Sequence, residues 1–158
     1  MFGTLMFGSK LLMEFLPNIH LIGLFIMVFT ITYRTKALIP IYIFVFLTGI
    51  YGGFTIWWLP YLYIWTVLWG ITMLIPKKTP VGVKIVVYPI VCCLHGLLYG
   101  VLYAPMQALM YHFSFEQTLT WIASGLYFDL LHGAGNLVLG LFVLPLSELL
   151  FRLKKTYK

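Results

Sequence analysis

The chain has 158 residues, of which 62% are hydrophobic and 9% charged, and a formal net charge of +6. So little polar surface cannot wrap a soluble core of this size, and a mean hydropathy of +1.00 calls for a bilayer to solvate the remainder. The expectation is an all-α integral membrane protein forming a single domain over 1–158, whose cationic excess marks the ends of apolar runs and so argues against nucleic acid as a partner.

A spanning helix needs roughly 20 apolar residues. In chain order the sequence predicts a compact bundle of about six transmembrane helices, over 1–16, 19–33, 37–56, 60–76, 82–104 and 126–151, with a short helix near 106–123. Arg34, Lys36, Lys77, Lys78, Lys84, Arg152, Lys154, Lys155 and Lys158 flank these runs. Placing the N-terminus and C-terminus in the cytoplasm gathers all nine on that side, as the positive-inside rule asks. The connections 17–20, 57–61 and 105–118 then face outward. Residues 1–16 lack the basic flank and small-residue cleavage site of a signal peptide, and are expected to remain as a helix.

Lys10 is the one basic residue inside an apolar run, with Glu14 a helical turn further on. Such a pair is expensive in hydrocarbon and is usually retained to hold a substrate, an ion or another buried partner. The competing reading is that Lys10 snorkels and Glu14 neutralises it. On a helix Gly3, Phe7, Lys10 and Glu14 share one side, while Thr4 and Gly8 lie almost opposite as a small-xxx-small groove able to receive another helix.

The fourth run carries Trp58, Tyr61, Trp65 and Trp69 at three- and four-residue spacing, and the fifth carries His95, Tyr99 and Tyr103, leading to Gln107. Each aromatic alone reads as packing or interfacial belt; converging, they can wall a partly apolar pocket. His95, near mid-membrane, reads as hydrogen-bonded packing. Cys92 and Cys93 are adjacent, about 100° apart on a helix, and suggest neither a disulfide nor a metal site.

In the last run Asp129, His132 and Asn136 occupy an arc of about 60°, continued by Gly125 and Gly140. They either point into one cavity or form an interhelical hydrogen-bond cluster. The candidate substrate-binding set is therefore Lys10, Glu14, Trp58, Tyr61, Trp65, Tyr99, Tyr103, Asp129, His132 and Asn136, with no metal or cofactor. No nucleotide loop, zinc-type histidine pair or nucleophile elbow occurs. Asp129 with His132 is the nearest approach to a catalytic set, and no nucleophile can be assigned to it.

The segment Gly125-Leu-Tyr-Phe-Asp-Leu-Leu-His-Gly-Ala-Gly-Asn136, followed by Gly140, Pro145 and the basic end, resembles the substrate-binding S components of energy-coupling factor (ECF) transporters. So does the first hairpin, Phe7-Gly-Ser-Lys-Leu-Leu-Met-Glu-Phe-Leu-Pro-Asn-Ile-His20. Size, helix number and topology extend the resemblance over the chain. The family's first helix commonly carries an alanine-xxx-alanine motif, for which Thr4 and Gly8 are the nearest small pair here.

The resemblance implies a non-catalytic subunit in a bacterial or archaeal cell membrane that captures a vitamin or related micronutrient from outside. Its partners would be a transmembrane coupling subunit, docked on the Thr4/Gly8 face, and two ATPases, to which ATP hydrolysis would belong. The outward loops would be lids. The alternatives are a small membrane scaffold or accessory protein, a solitary carrier, and an intramembrane enzyme using Asp129 and His132. Lys10 suits a carboxylate or phosphate, Glu14 or Asp129 an amine or cationic ring, and the tryptophans favour a flat heterocycle.

Overall fold

Apolar residues without strand-like alternation or turn punctuation fold as helix, and helices are the only regular elements in the computed structural model, which describes residues 1–156. Lys158, counted above with the basic flanks, lies outside the described residues. The helices are α1 (Phe2–Leu12), α2 (Ile22–Tyr33), α3 (Leu38–Gly52), α4 (Tyr61–Leu74), α5 (Val81–Leu97), α6 (Tyr99–Tyr111), α7 (Phe115–Gly140) and α8 (Val143–Thr156), with one 3-10 turn at Arg34–Ala37. By length and composition alone the helical runs Ile22–Gly52 and Val81–Tyr111 each suffice to cross a membrane, and α7 with α8 makes a third if that bent pair counts as one span; the first of these runs, however, folds back on itself. Outward faces of α3, α5 and α7 are apolar, with Ile39, Phe46, Val86, Ile90, Leu126 and Leu130 all exposed. An apolar surface that extensive fits lipid rather than water.

The run Ile22–Gly52 is not straight. His20, just before it, and Phe44, well along it, both pack 6.0 Å from the Trp65 ring, whereas a straight helix would hold them ~36 Å apart. The chain reverses at Arg34, whose φ of 55° and ψ of −123° are those of the first central position of a type II′ turn, where glycine is usual. The Arg34 carbonyl accepts from Trp69 Nε1 at 3.2 Å and its guanidinium donates to the Met73 carbonyl at 2.7 Å, fixing the turn to the end of α4. α2 is thereby wrapped by neighbours, and nine of its 12 residues are buried.

The run Val81–Tyr111 instead stays one rod through the α5–α6 junction, and α7 lies antiparallel along it. Glycine makes this approach possible: a Cβ added to Gly140 would sit 2.5 Å from the Pro89 Cα, one on Gly133 2.5 Å from Leu97 side-chain carbons, and one on Gly96 2.9 Å from the Gly133 nitrogen. Small residues that let backbones close up are the usual basis of helix association where lipid supplies no hydrophobic drive.

Three expected boundaries are corrected. The first helix ends at Leu12 rather than 16, because Met13 to Leu16 tighten into turns (Glu14 N–H to Leu11 O, 3.2 Å; Leu16 N–H to Met13 O, 2.9 Å) ahead of Pro17, which disfavours helix at the residue before it. The short helix near 106–123 and the loop 105–118 do not form. α6 continues through Pro105 to Tyr111, and α7 starts at Phe115, well before residue 126, on a capping box in which Ser114 and Gln117 exchange side-chain-to-backbone hydrogen bonds. The last predicted helix, 126–151, is two helices meeting at 49°, with Pro145 placed in the first turn of α8, where its missing N–H costs nothing.

The short helices α1 to α4 end at a common level, above which the α6–α7 hairpin projects. Two of the cavities gather charged side chains, one at that level and one at the opposite end, where the basic residues lie.

Candidate ligand-binding site

The residues joining α1 to α2 form the roof of the first cavity. Asn18 adopts a positive φ of 55° and donates from Nδ2 to the Phe128 carbonyl at 3.3 Å, while Ile19 packs against Gly135. The connection is thus tied to α7, which carries His20 over the helix interior, its ring 4.8 Å from that of His132. Below them Trp65 contacts Tyr61 and Tyr99 at 5.5 and 5.7 Å, and Tyr99 meets His132 at 5.0 Å. The space enclosed is about 280 Å³, lined by Lys10, Met13, Glu14, Leu16, Pro17, Asn18, His20, Tyr61, Tyr99 and His132.

Its polar inventory is unusual. His132 is 1% exposed, yet neither ring nitrogen has a hydrogen-bond partner within the protein; His20 Nδ1 and Trp65 Nε1 share that condition. A buried polar atom left unpaired costs about 1–3 kcal/mol, so a hydrogen-bonding molecule in the cavity would stabilise the two imidazoles. At the rim Lys10 and Glu14 offer charges of both signs. Glu14 lies beyond the end of α1, so the two are not stacked one helical turn apart; the Glu14 carboxylate accepts a 3.4 Å hydrogen bond from Tyr51.

Of the ten residues expected to bind substrate, Lys10, Glu14, Tyr61, Tyr99 and His132 are brought to this cavity, and Trp65 packs directly behind its wall. The other four are placed elsewhere. Trp58 donates from Nε1 to the Val45 carbonyl at 2.8 Å and packs edge-on to Phe54, closing the α3–α4 connection. Tyr103 donates its hydroxyl to the Trp57 carbonyl and stacks on Trp121. Both Asp129 carboxylate oxygens accept from the Gly100 N–H, at 3.1 and 3.2 Å, and Asn136 Nδ2 donates to the Cys92 carbonyl at 3.2 Å.

The arc on α7 therefore divides. At 100° per residue Asp129 and Asn136 are only about 20° apart and look into the seam with α5 and α6, while His132 stands about 40–60° to one side and looks into the cavity. No hydrogen bond joins Asp129 to His132, so the two are not assembled as a catalytic pair. His95 donates from Nε2 to the Ile64 carbonyl at 3.1 Å, a packing contact, while its Nδ1 lacks a partner within the protein. The described residues bring together no group of three His, Cys, Asp or Glu side chains that could hold a metal ion.

His20 and Asn18 were not singled out individually. The signal was there: Pro17-Asn18 is a turn dipeptide, and His20 follows it as an ionisable residue at the head of an apolar run.

On α1, Gly3 faces α3, where a Cβ would sit 2.5 Å from Ile43 Cγ2, and Phe7 meets Tyr51 edge-on. Thr4 is exposed, and nothing lies within 4 Å of a Cβ on Gly8. The Thr4/Gly8 face is thus open while the Lys10 side faces the cavity. No protein-family model matches the chain, and comparison with curated proteins and with solved structures likewise finds no match.

Proposed function

We propose that this chain is the membrane-embedded substrate-binding subunit, the S component, of an ATP-driven ECF importer, and that the cavity beneath the α1–α2 connection takes a vitamin or related micronutrient. The observation that carries the reading is His132, buried in the wall of a cavity lined by aromatic, aliphatic and charged side chains, with both its nitrogens lacking protein partners. A pre-formed cleft in which several polar groups converge beside aromatic side chains is a form small-molecule sites commonly take.

The cavity's volume, at the lower edge of the usual ~300–1,000 Å³, favours a small ligand. Lys10, Glu14 and the paired imidazoles favour one with hydrogen-bonding edges and a flat ring. In this reading the basic end is cytoplasmic, the cavity opens outward, and the α1–α2 connection acts as the lid. The open Thr4/Gly8 face receives the coupling subunit, and two ATPases bound to that subunit supply the energy; the chain itself catalyses nothing.

The test is native mass spectrometry of the protein gently purified from its host, followed by titration of whatever small molecule is released. One ligand per chain is expected, with affinity reduced at least ~10-fold by Lys10→Ala and by His132→Ala, about 1.4 kcal/mol or more. Trp58→Phe should bind as wild type. Absence of any bound or titratable micronutrient, or equal affinity of all three variants, would refute the assignment.

A further inference from the structure

The second cavity, of about 340 Å³, lies at the opposite end from the ligand site. Four cationic residues reach it from four separate parts of the fold: Arg34 from the 3-10 turn, Lys77 from the α4–α5 connection, Lys84 from α5 and Lys154 from α8. None of the chain's four acidic residues lines it. Like charges converging on a confined space raise the energy of the folded state unless an anion shares that space.

The arrangement is built rather than incidental. Arg34 is held by its 2.7 Å bond to the Met73 carbonyl, in a backbone conformation that few residues other than glycine adopt. Lys154 donates to the Thr32 carbonyl at 3.2 Å and stands 4.9 Å over the Tyr33 ring. Ile75 and the exposed Phe151 supply an apolar rim beside the cations. A guanidinium with several ammonium groups matches the oxygens of a phosphate, and basic pockets between membrane helices suit phosphate-bearing head groups.

We infer that this cavity is a phosphate-recognition site, occupied by the phosphate of an anionic lipid head group or by a free phosphate anion. It stands on residues separate from the ligand cavity and does not depend on what that cavity binds.

The full chain, purified in a neutral detergent and stripped of lipid, is titrated with phosphatidylglycerol, with phosphatidylcholine and with inorganic phosphate, and occupancy is read by native mass spectrometry. One phosphatidylglycerol or one phosphate per chain is expected, with phosphatidylcholine retained more weakly. At about 1 kcal/mol per cation, Lys84→Gln should weaken binding about fivefold and Lys84→Gln with Lys154→Gln about 25-fold. The single variant leaves the contacts of Lys154 with Thr32 and Tyr33 intact, so it reads the site without disturbing α8. Lys78→Gln with Lys155→Gln, exposed lysines that do not line the cavity, should leave binding within about twofold of wild type, a shift of under about 0.5 kcal/mol. Phosphatidylglycerol bound in preference to phosphate identifies the bilayer as the source; phosphate that binds alone and displaces the lipid identifies a soluble anion. No stoichiometric binding of either, or equal weakening by the control pair, overturns the inference.

Discussion

Replacing His132 by phenylalanine separates a structural histidine from a ligand-facing one. The substitution keeps a planar ring in the wall while removing two buried nitrogens that have no protein partner, so the unliganded protein should gain about 1–3 kcal/mol and its melting temperature should rise. Ligand affinity should fall at the same time. A lower melting temperature with unchanged affinity would show that the imidazole supports packing instead. The neighbouring Asp129 and Asn136 behave differently because each already serves a backbone group across the seam, the Gly100 N–H and the Cys92 carbonyl. Three polar residues on one arc looked equivalent in sequence, and a difference of about 40–60° in azimuth is what separates a cavity-facing side chain from two that join helices.

At the level of elements, the seam between the Val81–Tyr111 rod and α7 fixes the position of His132 and Tyr99. Gly140→Ala should cost about 1–3 kcal/mol, since its Cβ would meet the Pro89 main chain, which cannot rotate aside as a side chain can. Gly125→Ala, on the same helix with nothing within 4 Å, should instead stabilise by about 0.5–1 kcal/mol. Thermal melts of the two variants in one detergent check the pair; the same sign for both would mean the helices are not this close. The helical content and the apolar runs were legible because composition and run length speak directly to them. Gly96, Gly100, Gly133 and Gly140 were visible as letters, but spacing along one helix does not say which other helix it approaches. The early start of α7 was legible in Ser114 to Gln117 and passed over, because the apolar run begins later than the cap. The site was half legible: residues on regular helices such as Tyr61, Tyr99 and His132 follow from periodicity. The placement of His20 depends on a turn that docks on α7 more than 100 residues away in sequence.

Over the whole molecule the helices are unequal in height. α5 with α6 is a rod of 31 residues and α7 has 26, ~46 and ~39 Å long, whereas α1 and α2 have 11 and 12, ~17 and ~18 Å. Against a hydrocarbon layer ~30 Å thick, neither of the first two can span alone, and α1 carries Lys10 besides. They are made before α7 and α8, which supply the roof contact of Asn18 and much of the surface on which α2 rests. In the membrane setting proposed above, the α1–α2 hairpin is therefore expected to settle only after the C-terminal third has been made. A chain stopped after α4 should be extracted by alkaline carbonate and degraded quickly, while the intact chain resists both; equal membrane retention of the two would show that the short helices insert unaided.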